Sequence, residues 1–501
     1  MAVPFGLCLV AIVLASRLCH AKILWADEDY HLAAAIQVLH GKLPYRDFWY
    51  DKPPLNLAFY LLFGARTGLA LRVADALFVC GCCALAYRFA SQLWSRREGF
   101  LAAGALAFSL IFYLSPGIIP LEPDTLLLAP HLAAAYWAWR RKPFLAGLAA
   151  GIAFQLSPKG IFVLASAVLF APASLPMMAL GFLAPTAITL GCLAAAGAWT
   201  GYVEQVWKWG LRYAVSPQNQ RSLVNVFDWL GFHAALVLAA GSYWIKDRSP
   251  ERMKTIGWCA VSLLATAVGW RFAPRYFVQL LPALAIPAAY GFARAGPALR
   301  VLMLIALTIP VVRFGPRYVE LARGVPWTDT AMDNESRQVA QMIGATARPG
   351  DTIFIWGYRP DVVAYTRLPV SGLIWDSQPV TGVPADRHLS DSRPVSESWA
   401  RENRRKLVGS KPSFLVDGLS LYNSQLDIHR YPELASWLAQ YCQVGRAGGT
   451  TVYRLCPMQA QTPALHLDYA GSGSSCSWLC TKLRISKRLI SRSGKKLFTA
   501  S

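Results

Sequence analysis

The chain has 501 residues, of which 55% are hydrophobic and 12% aromatic, and its mean hydropathy is +0.34. Such a chain is too apolar for one soluble domain, and apolar runs recur to about residue 313, so we expect an integral membrane protein. The net charge of +21 does not indicate nucleic-acid binding, because the cations fall largely in short loops between the apolar runs and in the tail.

Eleven apolar segments are predicted to span the membrane. They lie at 4–22, 69–90, 99–114, 125–139, 143–156, 160–172, 177–198, 227–245, 255–270, 276–293 and 299–313. The first is interpreted as an uncleaved span rather than a signal peptide, because it has almost no basic leader and more apolar segments follow it. Basic loops at 96–97, 140–142, 246–254 and 294–300 alternate with loops that carry acids, so the positive-inside rule places the N-terminus in the cytoplasm.

The first outward loop, residues 23–68, contains the densest charge. Between Trp25 and Pro54 it carries five carboxylates, three cations and six aromatic residues. Asp27 and Glu28 come just before a helical pattern that Gly41 ends. Acids there could cap that helix, or they could hold a carboxylate at the bilayer surface as a general base. Three successive acids exceed what one cap needs.

Cations of the outward loops suggest a phosphate ligand. Lys52 follows an acid and precedes two prolines that stiffen the re-entry into the bilayer. It could bind a lipid phosphate, or it could be an ordinary interfacial lysine whose ammonium reaches toward water. Lys159 and Arg275 lie in later outward loops, although Arg275 alone could simply contact lipid head groups.

Two further acids, Glu122 and Asp124, stand at the start of the span predicted at 125–139. Glu122 could cap this helix. Ionisable residues at or within the membrane are functional candidates by default. Acids and cations from separate loops would meet at one membrane face, which is typical of a site that handles a phosphate leaving group and a hydroxyl acceptor.

Residues 314–456 are predicted to form a small α/β domain outside the membrane. Its predicted strands lie at 351–356, 368–374, 413–417 and 450–455, and its predicted helices at 335–347, 394–407 and 431–441. Cys442 and Cys456 flank a hairpin turn and could form a disulfide or remain free thiols. Residues 457–501 carry seven cations against one acid and are predicted to be a disordered or membrane-surface tail.

The motifs resemble those of the GT-C glycosyltransferases, in particular the bacterial protein mannosyltransferase-like group that includes the lipid A aminoarabinose transferases. The matching segments are Trp25–Tyr30, Gly41–Asp47, Asp51–Pro54, Leu121–Asp124, Ala146–Phe154, Lys159-Gly160 and Pro274–Tyr276. The resemblance covers residues 1–313. It implies a GT-C transmembrane catalytic domain of about eleven helices, followed by an extracytoplasmic α/β domain.

The resemblance also implies an activity and a location. The activity is inverting transfer of a sugar from a polyprenyl-phosphate donor to a lipid, polysaccharide or protein acceptor, on the outer face of a bacterial inner membrane. The implied roles are general base for Asp27, support for Glu28, donor-phosphate binding for Lys52, Lys159 and Arg275, and positioning of acceptor or sugar for Glu122, Asp124, Tyr30 and Arg46. Lipopolysaccharide synthesis and protein glycosylation are the processes in which such enzymes act.

Some alternatives stay open. Asp29-Tyr30 stands where the aminoarabinose transferases have a Thr-Arg-Tyr-like run, so an arginine contact is missing and the sugar can differ. We expect no obligatory metal, although the acid pair could hold a divalent cation. A transporter of lipid-linked sugars or polysaccharides is a competing hypothesis, but the chain has no internal repeat of the kind many transporters show. The α/β domain could also be a binding module on a membrane scaffold.

Overall fold

A computed structural model describes residues 2–113, 121–215, 222–270, 272–325, 328–357, 359–384 and 392–457. The chain divides into two units, Met1–Cys456 and Pro457–Ser501. The predicted basic tail, beyond Pro457, lies outside the described residues. Over the described residues the first unit is mostly helical with one small sheet, which agrees with the predicted fold class.

Residues up to 323 form helices joined mainly by short loops. The helices are α1 (Ala2–Leu18), α2 (Glu28–Leu39), α3 (Leu55–Leu61), α4 (Leu69–Leu93), α5 (Arg96–Ile111), α6 (Pro123–Leu126), α7 (Leu128–Trp139), α8 (Pro143–Leu156), α9 (Gly160–Phe170), α10 (Leu175–Ala195), α11 (Trp199–Tyr202), α12 (Trp209–Val215), α13 (Ser222–Phe232), α14 (Ala234–Lys246), α15 (Pro250–Ala267), α16 (Leu281–Ala293) and α17 (Pro297–Arg323). A π-helical turn, Val203–Lys208, joins α11 to α12, and a 3₁₀ segment, Pro274–Leu280, leads into α16.

Several of these helices are suited to a bilayer. Within the part of the chain that the structure describes, four segments are long and apolar enough to cross it: Leu69–Leu93, Pro172–Ala195, Pro274–Ala293 and Pro297–Arg323. A fifth is added if α13 and α14, which meet at 76°, are one broken span. This is the pattern of a multi-pass membrane protein. Each of the eleven predicted spans lies mainly on helix, but the number of crossings stays a prediction because many of these helices are short.

The small-residue run Ala146–Phe154 explains how α8 packs. A side chain at Gly147 would overlap the carbonyl group of Met178, and one at Gly151 would overlap the ring of Pro185. The backbones of α8 and α10 are therefore in close contact. Such close approach is a main source of helix association in lipid, where apolar side chains gain little from leaving the solvent. It fixes the end of α8, which leads into the loop that carries Lys159.

The region after α17 contains short helices around a four-stranded sheet. Its elements are α18 (Thr328–Gly344), β1 (Ile353–Trp356), α19 (Pro360–Thr366), α20 (Gln378–Thr381), α21 (Glu397–Val408), β2 (Phe414–Asp417), α22 (Ala435–Leu438), β3 (Tyr441–Ala447) and β4 (Thr450–Leu455). The strand order is β1-β2-β4-β3. β1 and β2 are parallel, whereas β4 runs antiparallel to both β2 and β3.

Two predictions for this region are wrong. The segment 368–374 is not a strand, and only Val370 makes an isolated bridge, to Ile353. Its backbone groups bind the first outward loop instead: the Val370 N–H donates to Gln37, and the Leu373 carbonyl accepts from the Trp49 N–H. In place of the predicted helix 431–441 the chain forms only a 3₁₀ turn, Pro432–Leu434, and one helical turn, Ala435–Leu438. It then enters β3 at Tyr441.

The predicted hairpin between β3 and β4 is confirmed. Gly448 occupies its turn with a φ of +51°, a conformation that suits glycine. Cys442 and Cys456 are joined by a disulfide, with their Cα atoms 5.4 Å apart. Of the two alternatives that the sequence left open, the structure has the bonded one.

The sheet region and the first outward loop share one apolar core. Tyr30, Trp49 and Tyr50 from the loop lie in the same buried cluster as Val363 and Trp375 from the sheet region. The loop therefore packs against the α/β region, which holds it in place. This contact fixes the backbone that carries the charged residues described next.

Candidate active site

Asp27 lies between α1 and α2, directly before the first residue of α2. It is the N-cap residue of α2, but its φ of 78° is left-handed and its side chain makes no capping hydrogen bond. Its carboxylate instead contacts the guanidinium of Arg275. The two side chains are 25% and 38% exposed, respectively, so both can be reached from outside the protein.

Glu28, the next residue, is completely buried. It accepts hydrogen bonds from Arg72 through both carboxylate oxygens, and also from the backbone N–H groups of Trp25 and Leu121. All of these contacts lie inside the protein. Glu28 therefore connects the first outward loop, the loop before α6 and the membrane helix α4, and it fixes the backbone beside Asp27.

Asp124 and Lys159 form a second acid–base pair. The Lys159 Nζ donates to the Asp124 Oδ1 at 3.2 Å, and the Gln279 Nε2 donates to the same oxygen at 2.5 Å. The Lys159 ammonium also lies 3.5 Å from the centre of the Tyr276 ring, where a cation is attracted by the π-electrons. Three separate loops therefore meet at this pair.

Glu122 lies beside the pair and is 4% exposed. It makes no side-chain capping bond to α6, and its Oε1 has no hydrogen-bond partner among the residues that the structure describes. Burial and then the nearby Asp124 charge raise the pKa of Glu122 well above its usual range, whereas Lys159 and Lys52 oppose the rise. The sign of the shift favours a neutral carboxylic acid.

Lys52 lies near the same acids. Its Nζ donates to the Asp51 carboxylate at 2.7 Å. Burial lowers the pKa of Lys52, but the attraction of Asp51, Tyr213 and Asp124 together outweighs it, so the pKa is raised and the side chain stays cationic. Asp124 therefore acts on Lys52 through its charge and on Lys159 through a direct contact.

The two remaining predicted site residues differ: the Tyr30 hydroxyl accepts from the Asp51 N–H at 3.3 Å, beside Lys52, whereas Arg46 lies apart from these charges. The Tyr30 ring stacks between Tyr50 and Trp375, with centroid distances of 5.5 and 5.6 Å, and is 3% exposed. Arg46 is about half exposed and binds its neighbour Asp47 and the Ala196 carbonyl at the end of α10. Asp27 contacts Arg275, and the next residue in the chain, Tyr276, contacts Lys159, so the Asp27–Arg275 and Asp124–Lys159 pairs are neighbours. With Glu122 and Lys52 these two pairs make up what we call the site cluster: Asp27, Arg275, Glu122, Asp124, Lys159 and Lys52. Tyr30 supports its loop from within, and Arg46 lies at the loop's edge.

No protein-family model and no curated protein sequence matches the chain. Solved structures do match it. The crystal structure of ArnT from Cupriavidus metallidurans bound to undecaprenyl phosphate aligns with a TM-score of 0.60 over 92% of this chain and 99% of that chain, at 14% identity. The apo structure of the same protein gives 0.58 over 91% and 98%, at 13% identity.

The chain has the GT-C fold. The resemblance seen in the sequence motifs is thereby confirmed at the level of the fold. Because nearly the whole of the other chain is covered, the GT-C match includes both the helical region and the region around the sheet.

The sequence reasoning missed several residues that the GT-C fold brings to the cluster. Arg72 lay within the predicted span 69–90, where a buried cation is itself a signal of an ionic partner. Tyr276 lay in the matching segment Pro274–Tyr276 but was given no role, and Gln279 gave no signal, since a glutamine near the start of a helix has many roles. Only the folded chain shows that Gln279 contacts Asp124 and that Tyr276 contacts Lys159.

The described residues contain no group of three or more His, Cys, Asp and Glu side chains with the geometry of a metal site. The charges that face the acids of the cluster are lysine and arginine side chains. The expectation that no metal is obligatory stays a prediction, and it is tested below.

Proposed function

We propose that the chain is an inverting glycosyltransferase that moves a sugar from a polyprenyl-phosphate donor to a hydroxyl group of a lipid, polysaccharide or protein on the outer face of a bacterial inner membrane. The observation that carries the proposal is the site cluster, in which acids and cations from separate loops of a GT-C fold meet. The ArnT structure that contains undecaprenyl phosphate supports a donor of that chemical class.

The three cations of the cluster suit the departure of a phosphate. In the proposed reaction the bond between the anomeric carbon and the phosphate oxygen breaks, and the polyprenyl phosphate leaves with the bonding electrons. Lys52, Lys159 and Arg275 would stabilise the negative charge that builds up on the leaving oxygen. Fixed cations in a partly dry site act strongly on such charge, because little reorganisation is needed when it forms.

Asp27 is the proposed general base. It takes the proton of the acceptor hydroxyl while that oxygen bonds to the anomeric carbon from the face opposite the phosphate, which inverts the configuration. A donor phosphate on the other side of the sugar would compete with Asp27 for the Arg275 guanidinium. Donor binding would thus release the Asp27 carboxylate for proton transfer at the moment when the phosphate gains its counter-charge.

The other acids have supporting roles in this proposal. Glu28 holds the backbone of Asp27 through Arg72. Asp124 orients Lys159, and together with Glu122 it faces the sugar or the acceptor. A neutral Glu122 could donate a hydrogen bond to a sugar hydroxyl, which an ionised carboxylate cannot do.

The test is sugar transfer by the purified protein in liposomes. Radiolabelled polyprenyl-phosphate sugars are offered with a membrane extract as acceptor, and the anomeric configuration of the product is determined by NMR. We expect transfer with at least one donor, and inversion at the anomeric carbon. Failure of every donor, or a product with retained configuration, would reject the proposal.

A further inference from the structure

One buried glutamine contacts the loop that presents Lys52. We infer that Gln205 is a positioning residue for the donor-phosphate site, and that it acts on Lys52 through Tyr45 and Tyr50. The inference rests on the proposed role of Lys52 as a phosphate-binding residue. It goes beyond that role by naming the residue that keeps the lysine in place.

Gln205 lies on the π-helical turn between α11 and α12 and is 2% exposed. Its Nε2 donates to the Tyr45 carbonyl at 2.8 Å, and its Oε1 accepts from the Tyr50 N–H at 2.8 Å. A single side-chain amide thus joins two backbone groups five residues apart in the first outward loop. π-Helical turns are rare and are found frequently at functional sites.

Tyr45 needs such support. Its φ is 67°, in the left-handed region that a bulky L-residue rarely adopts, and its N–H donates to the Phe48 carbonyl at 3.0 Å. A backbone of this kind persists only where its surroundings hold it. Gly201, one turn before Gln205, allows the helix to come this close, since a side chain there would overlap the Tyr45 carbonyl.

The held segment leads directly to Lys52. The Tyr45 hydroxyl donates to the Lys52 carbonyl at 2.6 Å, and Tyr50 is only two residues before the lysine. The Lys52 ammonium in turn is oriented by Asp51. A lysine side chain is flexible, so the position of its ammonium depends on how firmly its backbone is held. Gln205 provides two of the hydrogen bonds that hold the backbone of this loop.

A purely structural role for Gln205 makes a different prediction. It would lower the thermal stability of the protein but would leave the contribution of Lys52 to phosphate binding unchanged. The two roles separate in a double-mutant cycle, since residues that act through one interaction have non-additive effects.

The experiment measures binding of undecaprenyl phosphate to the full chain in detergent by native mass spectrometry. The variants are Gln205→Met, which keeps the length of the side chain but not its amide, Lys52→Ala, and the two together. We expect each single variant to bind about tenfold more weakly, because small displacements of a binding group are costly, and the double variant to bind no more weakly than Lys52→Ala. Asn403→Leu is the matched control, since Asn403 is also buried but its side-chain amide donates to the Pro379 carbonyl, away from the site cluster; it should bind like the wild type.

Several outcomes would overturn the inference. Wild-type affinity in Gln205→Met, or a loss that adds in full to that of Lys52→Ala, would show that the glutamine does not act through the lysine. Unchanged binding in Lys52→Ala would reject the phosphate role of Lys52 itself, and the inference with it. If Gln205→Met does not fold, Tyr45→Phe removes only the hydroxyl bond to the Lys52 carbonyl, and wild-type binding by that variant would equally contradict the inference.

Discussion

Arg72 donates hydrogen bonds from both terminal guanidinium nitrogens to the two carboxylate oxygens of Glu28, at 3.0 and 2.5 Å. Neither side chain is more than 1% exposed. The pair joins the outer part of α4 to the first residue of α2, directly beside Asp27. A buried, bidentate pair of this kind fixes a backbone position, although it is weak evidence for net stability.

Breaking this pair from one side should be strongly destabilising. Arg72→Met leaves a buried carboxylate without its cation, and we expect a loss of about 3–5 kcal/mol in the free energy of unfolding. Thermal unfolding in detergent measures the change. Arg317→Met is the control, because Arg317 and Glu320 form a partly exposed pair that should contribute less than about 1 kcal/mol. Equal effects of the two variants would contradict the role given to Arg72.

Lys159 should contribute to binding of the donor as well as to departure of its phosphate. Lys159→Met removes the hydrogen bond to Asp124 and the charge proposed to meet the phosphate, so we expect KM for the donor to rise about ten- to a hundredfold, the range for one charged hydrogen bond. Steady-state kinetics with varied donor measures it. Lys406→Met, on an exposed lysine of α21, should keep the wild-type KM. An unchanged KM in Lys159→Met would remove Lys159 from the phosphate site.

Glu122 should make the stability of the protein depend on pH. Burial raises its pKa, so the folded protein holds this proton more tightly than the unfolded chain does. The stabilisation is present below the ordinary pKa of a glutamic acid and is lost as the pH rises through the raised value.

Glu122→Gln tests this dependence. The Tm of the wild type should fall more than that of the variant between about pH 5 and about pH 8. Glu320→Gln, on a partly exposed glutamate of α17, should follow the wild type. Parallel curves for Glu122→Gln and the wild type would mean that Glu122 titrates normally.

Removal of metal ions should leave sugar transfer intact. Lysine and arginine side chains supply the positive charge of the proposed site, so a chelator such as EDTA should not lower the rate. The assay is transfer in liposomes with and without EDTA, followed by addition of Mg²⁺ or Mn²⁺. Loss of activity that a divalent cation restores would show that the acids of the site bind a metal.

Much of the fold could be predicted from the sequence because its signals are local. Hydropathy located the helical segments, and the alternation in 450–455 predicted β4 within its observed bounds. The segment 368–374 failed for a non-local reason. Its apolar, β-branched pattern suits a strand, but its backbone groups are taken by Gln37 and Trp49 of the first outward loop, more than three hundred residues away.

For the site, too, local signals could be predicted from the sequence and contacts between distant segments could not. The charged residues of the outward loops could be found by their chemistry, because ionisable groups are rare within membrane segments and are functional candidates where they cluster next to them. Their partners could not. Neither the contact of Asp27 with Arg275 nor the two bonds of Gln205 to the first outward loop follows from any periodicity, since each depends on how distant loops meet in space.

The measurement that tests the central claim most directly is the rate of sugar transfer by Asp27→Asn beside wild type, in liposomes with a saturating polyprenyl-phosphate sugar. Asp247→Asn, on an aspartate in the loop between α14 and α15, is the matched control. The account predicts that Asp27→Asn folds and binds undecaprenyl phosphate but transfers sugar about 10²- to 10⁴-fold more slowly, the contribution of a general base, whereas the control keeps the wild-type rate. Full activity in folded Asp27→Asn would contradict it.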